Sequence, residues 1–349
     1  MTMNVYGDIT PRTAAFVVVE FLKRAQPYMV LEKFGQVATH PTNSTLSAKW
    51  RRYFIEGATG AAGSGTGDFY VPLATTPLIE GVTPSGRKLS KVDVTVTMAQ
   101  YGDFMILTDV VEDTHEDPIL RQMVEVLGEQ AGMTLETVRW NVLKAGTNVK
   151  RVGPSGIVTD RNQVGGVINI GVQRTITTAL TRQNAKKFTN IIASTPAFRT
   201  EPVEAAFFAL CHPDLETDIR NMSGYIAPKQ YGTGGALENE VGAVEQVRYL
   251  TSTIFGPWIN AGAATSGDTT KRSTGGTYYD VYPILYLARD AYGIVPLKGK
   301  SAVTPMVVNP KPANGDPLGQ RGSVGWKAYQ AAVILQDAFM IRAEVVATA

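Results

Sequence analysis

The chain has 349 residues, room for about two domains of ordinary size, and its composition, 44% hydrophobic and 18% charged, excludes wholesale disorder. Thirty-three Lys and Arg against 31 Asp and Glu leave a net charge of +2, without the basic excess of a dedicated nucleic-acid binder. The single cysteine, Cys211, excludes an intrachain disulfide and a multi-cysteine metal site.

Taken in chain order, residues 1–44 read as an arm. Thr10 and Pro11 suit the cap and first turn of a helix running to about Ala25, before Pro27; residues 28–34 form a second short amphipathic stretch, closed by Gly35. Neither is long enough to bury its own apolar face, so both are expected to lie on the same chain or on a neighbour. The most apolar N-terminal stretch is residues 14–19, before Glu20 interrupts, against about 20 residues needed to span a bilayer. With no signal-peptide pattern around it, the chain is expected to be soluble and cytoplasmic in origin.

Residues 45–112 read as extended. Val92, Val94, Val96 and Met98 alternate with Asp93, Thr95 and Thr97, placing apolar side chains on one strand face. A preceding strand over 49–55 carries Trp50, Arg51, Arg52, Tyr53 and Phe54. The connection between them, rich in Gly, Ala, Ser, Thr and Pro, far exceeds the roughly 12–15 residues beyond which loops are functional or mobile. The whole segment is expected to project as a long β-hairpin.

A helical spine follows. Asp117 can cap it, Pro118 fits its first position and Gly146 its C′ position. Leu120, Val124, Leu127, Ala131, Leu135, Val138 and Val142 recur at spacings of three and four. At ~1.5 Å per residue, 118–145 would be about 42 Å long. Gly128 and Gly132 each cost about 1 kcal/mol of helix propensity, so another backbone is expected to approach closely there. Beyond the spine the pattern is mixed: a buried strand over 205–210 and a short helix from Pro213 to about Arg220. Strands over 244–254 and 281–288 flank a Gly-rich loop, and the last block, 322–346, is apolar on both faces.

No evident constellation for catalysis emerges. The acidic run Asp109, Glu112, Asp113, Glu116 and Asp117, with His115 inside it, suits either a divalent cation or the positive end of the following helix. Gly57 to Gly67 falls short of a phosphate loop, because Gly65 is followed by Thr66 instead of Lys; Gly299–Lys300–Ser301 lacks the upstream glycine at the right distance. His212–Pro213–Asp214 matches the tripeptide of J-domain co-chaperones, but Pro and Asp at a helix start explain it equally. The basic-aromatic run Trp50 to Phe54 suits either stacking on nucleic acid or packing within a hairpin. Cys211 reads as a small buried side chain. The sequence therefore assigns no catalytic, cofactor-binding or metal residue. An arm, a projecting hairpin and a spine that cannot bury themselves in one subunit favour an assembly protein.

Several blocks in order carry a resemblance. They are Ala74-Thr-Thr-Pro-Leu-Ile-Glu-Gly-Val-Thr-Pro84, Gln100-Tyr-Gly-Asp103, Leu127-Gly-Glu-Gln-Ala-Gly132, Ala145-Gly-Thr-Asn148 and Asp316-Pro-Leu-Gly-Gln-Arg-Gly-Ser-Val-Gly-Trp-Lys327. In these the chain resembles the major capsid proteins of tailed bacteriophages, specifically the family named after coliphage N-four. The resemblance implies an α+β fold of the Hong Kong 97 type. It also implies an N-terminal arm (1–44), an extended hairpin loop (45–112), a peripheral domain with the spine helix (113–190), an axial domain (191–324) and C-terminal strands returning to the peripheral domain (325–349). The implied function is self-assembly as pentamers and hexamers into an icosahedral shell, assembled in the bacterial cytoplasm and found in the virion. Its partners would be copies of itself, a portal, scaffolding and cement proteins, and packaged double-stranded DNA held by weak non-specific contact. Neither a membrane nor a cofactor is implied. An encapsulin-like nanocompartment, which shares the architecture but carries enzyme cargo, is the alternative.

Overall fold

The computed structural model describes residues 29–38, 45–56, 71–110, 119–188, 205–231, 236–296, 303–308 and 317–349. In chain order the strands begin with β1 (Gln36–Val37), β2 (Ser47–Ile55), β3 (Leu89–Thr97), β4 (Ala99–Thr108), β5 (Val149–Gly153) and β6 (Gly156–Val158). They continue with β7 (Phe207–Cys211), β8 (Tyr225–Ile226), β9 (Glu240–Val244), β10 (Val247–Thr251) and β11 (Tyr282–Leu287). The last are β12 (Tyr292–Pro296), β13 (Val303–Val308), β14 (Arg321–Ile334) and β15 (Met340–Val345). The helices are α1 (Ile119–Leu143), α2 (Ile170–Arg182) and α3 (Glu216–Arg220).

The spine is α1, and its apolar spacing is used: Val124, Leu127, Ala131 and Leu135 pack on Val324, Trp326 and Ala328 of β14. Asp117 and Pro118, its expected cap, lie outside the described residues. Past Leu135 the buried stripe departs from the sequence reading. Val138 and Val142 are only half-buried, while Glu136, Arg139, Trp140 and Leu143 are buried. The physical reason is a second packing partner, residues 30–34, which cover that face of the helix and are far away in sequence. At the C-terminal end Gly146 does not adopt a left-handed backbone. Arg342 caps the helix instead, donating to the carbonyls of Lys144 and Gly146. A Cβ at Gly146 would stand 2.8 Å from Met340 Cε and 2.9 Å from Asp337 Oδ1, so those side-chain ends would have to move to admit a larger residue.

Strand β14 organises the first sheet. β4 and β13 pair antiparallel with the same residues of β14, so they occupy its two opposite edges. β12 continues on the β13 side, and β1 adds in parallel to β12. The second sheet has the order β6-β5-β15-β11-β7-β10-β9-β8. Phe207, Tyr249, Ile284, Tyr286 and Ile341 form one of its faces, against Val172, Ile176 and Leu180 of α2. Phe208, Leu210, Leu250 and Leu285 form the other, against Trp140, Leu143 and the 30–34 segment.

Two strand expectations need correction. The segment 244–254 is not one strand: β9 and β10 form a hairpin with Val244 opposite Val247, turning at Glu245, whose φ is +50°. No glycine or asparagine marks that turn, so the usual signal is missing. The two-stranded ladder β2–β3 ends at Thr97, and residues 99–108 pair with β14 instead of prolonging the ribbon to 112. Met98, buried with Ala48, Val295 and Ala331, is the pivot between ribbon and sheet.

Candidate assembly surfaces

Nine residue pairs, from Ser47 opposite Thr97 to Ile55 opposite Leu89, make β2–β3 a ribbon about 30 Å long at ~3.3 Å per residue. Its root is Trp50, packed so closely on the backbone of β12 that a Cβ at Gly293 would lie 2.6 Å from the indole. Arg51 donates to both carboxylate oxygens of Asp93 across the ladder, at 2.7 and 3.0 Å. That pairing raises the Arg51 pKa and holds Asp93 below the usual carboxylate range. Trp50 and Arg51 are thus engaged within the protein, while Tyr53 of the same run stays exposed. Residues 71–88 continue the ribbon's connection without helix or strand. Leu78 and Ile79 there are 78% and 69% exposed, and Leu73, Val82 and Leu89 are exposed too.

A second apolar surface lies on the first sheet. Strand alternation sends Val324 and Trp326 toward α1, where Gln130 links the Trp326 indole N–H to Asp103. The opposite face carries Phe104, Gly325 and Met306 in one cross-strand row and Ile106, Ser323 and Val308 in the next. Phe104 and Ile106 are 65% and 63% exposed, and Met306 and Val308 are exposed as well. Gly102, Ser323 and Gly325 make a low floor between these walls, giving a groove of about 590 Å³. Sheets with one face packed normally expose polar residues on the other. An open apolar face of this kind marks a contact surface.

Two clusters of buried charged residues lie away from these surfaces' apolar side chains, one on β15 and one on α1. Glu344, fully buried on β15, accepts from Arg161 at 2.7 and 2.9 Å and from Arg151 and Arg342 at 3.1 Å each. Trp258 stacks under Arg161, 3.9 Å from guanidinium to ring centre. Glu136 on α1 is also fully buried, and its Oε1 accepts the backbone N–H groups of Val30 (3.0 Å) and Leu31 (2.7 Å). Beside it Arg139 donates to Gln330, and the Tyr292 phenol donates to the Leu31 carbonyl. The sequence reading missed this cluster. Its signal was a charged pair three apart inside the apolar stripe of the spine.

Of the earlier candidates, only some fall among the described residues. Asp109 accepts from the Val110 N–H, and 111–118, with most of the acidic run and His115, lie outside the described residues. So do Gly57 to Gly67 and Gly299 to Ser301. Among the described residues no three His, Cys, Asp or Glu side chains converge as metal ligands. His212 accepts from the Asp214 N–H and caps the turn Pro213–Leu215 before α3, the helix-start reading of that tripeptide. Cys211 is buried with its thiol aimed at the Leu250 carbonyl, and burial pushes its pKa up, away from nucleophilic use. No described helix is long and apolar enough to cross a membrane.

No curated protein matches the chain. Residues 91–343, more than two thirds of it, match the phage capsid protein family. The chain belongs to that family. Solved structures agree on the fold. The capsid of Ralstonia phage GP4 superposes with a TM-score of 0.62 at 10% identity, covering 90% of this chain and 87% of that one. That of cyanophage P-SCSP1u gives 0.55 at 14%, covering 90% and 88%. The holo-SrpI encapsulin complex of Synechococcus elongatus PCC 7942 gives 0.52 at 9%, covering 99% and 90%. The fold of this capsid protein is therefore the α+β Hong Kong 97 type. Its ribbon and open sheet face are surfaces that a shell subunit has reason to leave uncovered.

Proposed function

We propose that this capsid protein is the major shell subunit of a tailed double-stranded DNA bacteriophage of the coliphage N-four type, closing as pentamers and hexamers into an icosahedral capsid. In this reading residues 1–44 are the arm, 45–97 the hairpin loop, 113–190 and 325–349, joined by the β4 strand, the peripheral domain, and 191–324 the axial domain. It acts by binding without catalysis.

The observation that carries the reading is the pair of apolar surfaces left open in one copy, the 71–89 connection and the Phe104–Met306 face. Each would be covered by the other from an adjacent subunit. Such a contact joins different patches, so it propagates around a ring until the ring closes. Burying one leucine or isoleucine contributes about 1.5–3 kcal/mol, so a few residues at each of many interfaces suffice for a stable shell. The small net charge of +2 suits an inner wall that touches DNA weakly, allowing packing and release. Portal, scaffolding and cement proteins would complete the particle.

The test is the double substitution Leu78→Asp and Ile79→Asp. It is expected to leave the subunit folded by circular dichroism while abolishing closed particles in electron micrographs. Normal shells from this variant would refute the assignment of the connection as an assembly surface. A second reading, an encapsulin-like shell, is favoured by one observation, the 99% coverage of this chain by the encapsulin match. Nuclease-protected DNA in purified particles supports the phage reading, and a co-purifying cargo enzyme supports the other.

A further inference from the structure

Residues 30–34 sit where the spine meets both sheets. Val30, Leu31 and Phe34 are buried among Trp140, Leu143, Phe208 and Ile294, while Gln36 and Val37 pair with β12. One side chain holds the entry of this segment by its backbone, and it is a carboxyl group. Glu136 takes both amides on Oε1; its Oε2 is fully buried and has no hydrogen-bond partner among the described residues. The surrounding charges do not complete it. From its own helix, Arg139 Nη1 stands 3.9 Å from Oε2, and that guanidinium already bonds Gln330 of β14 and reaches Glu32 at 3.5 Å. Glu32 itself, on the docked segment, adds negative charge. From β12 comes only the Tyr292 hydroxyl, kept neutral by burial and committed to the Leu31 carbonyl.

We propose that Glu136 is a proton-operated latch: with a proton on its free oxygen it holds residues 30–31, and on ionising it releases them. A neutral acid in this dry site still accepts both amides through Oε1, whereas an ionised one leaves half its charge on an unpaired oxygen. Burial pushes the Glu136 pKa from its usual 4.5 to about 7; the Leu31 amide, Arg139 and the Val30 amide oppose that push, and Glu32 assists it. A carboxyl with a docked pKa above its free value binds its proton more tightly when docked. The contribution to docking is therefore whole below about 4.5 and is lost as pH rises through about 7. The latch lies within one subunit, so its failure leaves the shell reading untouched.

Hydrogen–deuterium exchange of the full-length protein tests it. After correction for intrinsic rates, protection of the peptide over 29–34 should fall roughly fifty- to hundredfold between pH 5 and pH 8, while that of β11 stays level. Glu136→Gln, which keeps the acceptor and cannot ionise, should flatten the profile. Tyr292→Phe should lower protection at every pH and keep the slope, which separates the latch from mere loosening. A flat wild-type profile, a slope retained in Glu136→Gln, or a slope lost in Tyr292→Phe would each overturn the proposal.

Discussion

Glu136 and Glu344 are both fully buried carboxyl groups whose surroundings shift their titration in opposite directions. Burial pushes Glu344 up, yet Arg161, Arg342 and Arg151 overcome it and hold the group below its ordinary 4.5. A depressed folded pKa means stability fully present above the ordinary value of 4.5 and lost as pH falls below it through the folded value, the reverse of Glu136. Glu344→Gln would strip the counter-charge from three guanidiniums, one of which caps α1. Breaking a buried pair in this way costs about 3–5 kcal/mol, read as a loss of unfolding free energy in urea at neutral pH. A loss under about 1 kcal/mol would show the cluster to be ornamental. Little of this is legible in the chain, because Arg151 and Arg161 stand 193 and 183 residues from Glu344 and nothing local marks them as its partners.

At the scale of elements, the ribbon depends on its root. An isolated two-stranded hairpin is marginal in water, and among the described residues β2–β3 has no third strand in its own sheet. Its attachment rests on the Met98 cluster and on Trp50 over Gly293. Gly293→Ala places a methyl group into the indole and should displace it, at a cost of about 1–3 kcal/mol for overpacking. Exchange protection along 47–55 and 89–97 should fall while that of β11 persists; equal protection in the variant would contradict this anchoring. The ribbon was readable because Val92, Val94 and Val96 alternate cleanly. The spine was readable through Leu135, after which a partner from residues 30–34 redirects the buried face. The β9–β10 turn was not readable, since Glu245 takes a left-handed backbone without the residue types that advertise one.

For the whole molecule, the class of function was legible in the hairpin alone: the spine and residues 30–34, also expected to need a neighbour, are buried within this chain. The sheet order was not. β4 pairs with β14 across more than 200 residues, and periodicity carries no information about such distant partners. The resemblance of ordered blocks supplied the fold, and physics then explains why the Phe104–Met306 face stays open. The open face and the apolar connection make one copy incomplete, and neighbours must complete it. Cryo-electron microscopy of the purified protein at assembly concentration tests that claim most directly. Closed hollow particles, with each subunit's ribbon lying across the β4–β14–β13 face of the next, are the predicted result. A monodisperse monomer, its ribbon folded back over its own sheet, would contradict the account.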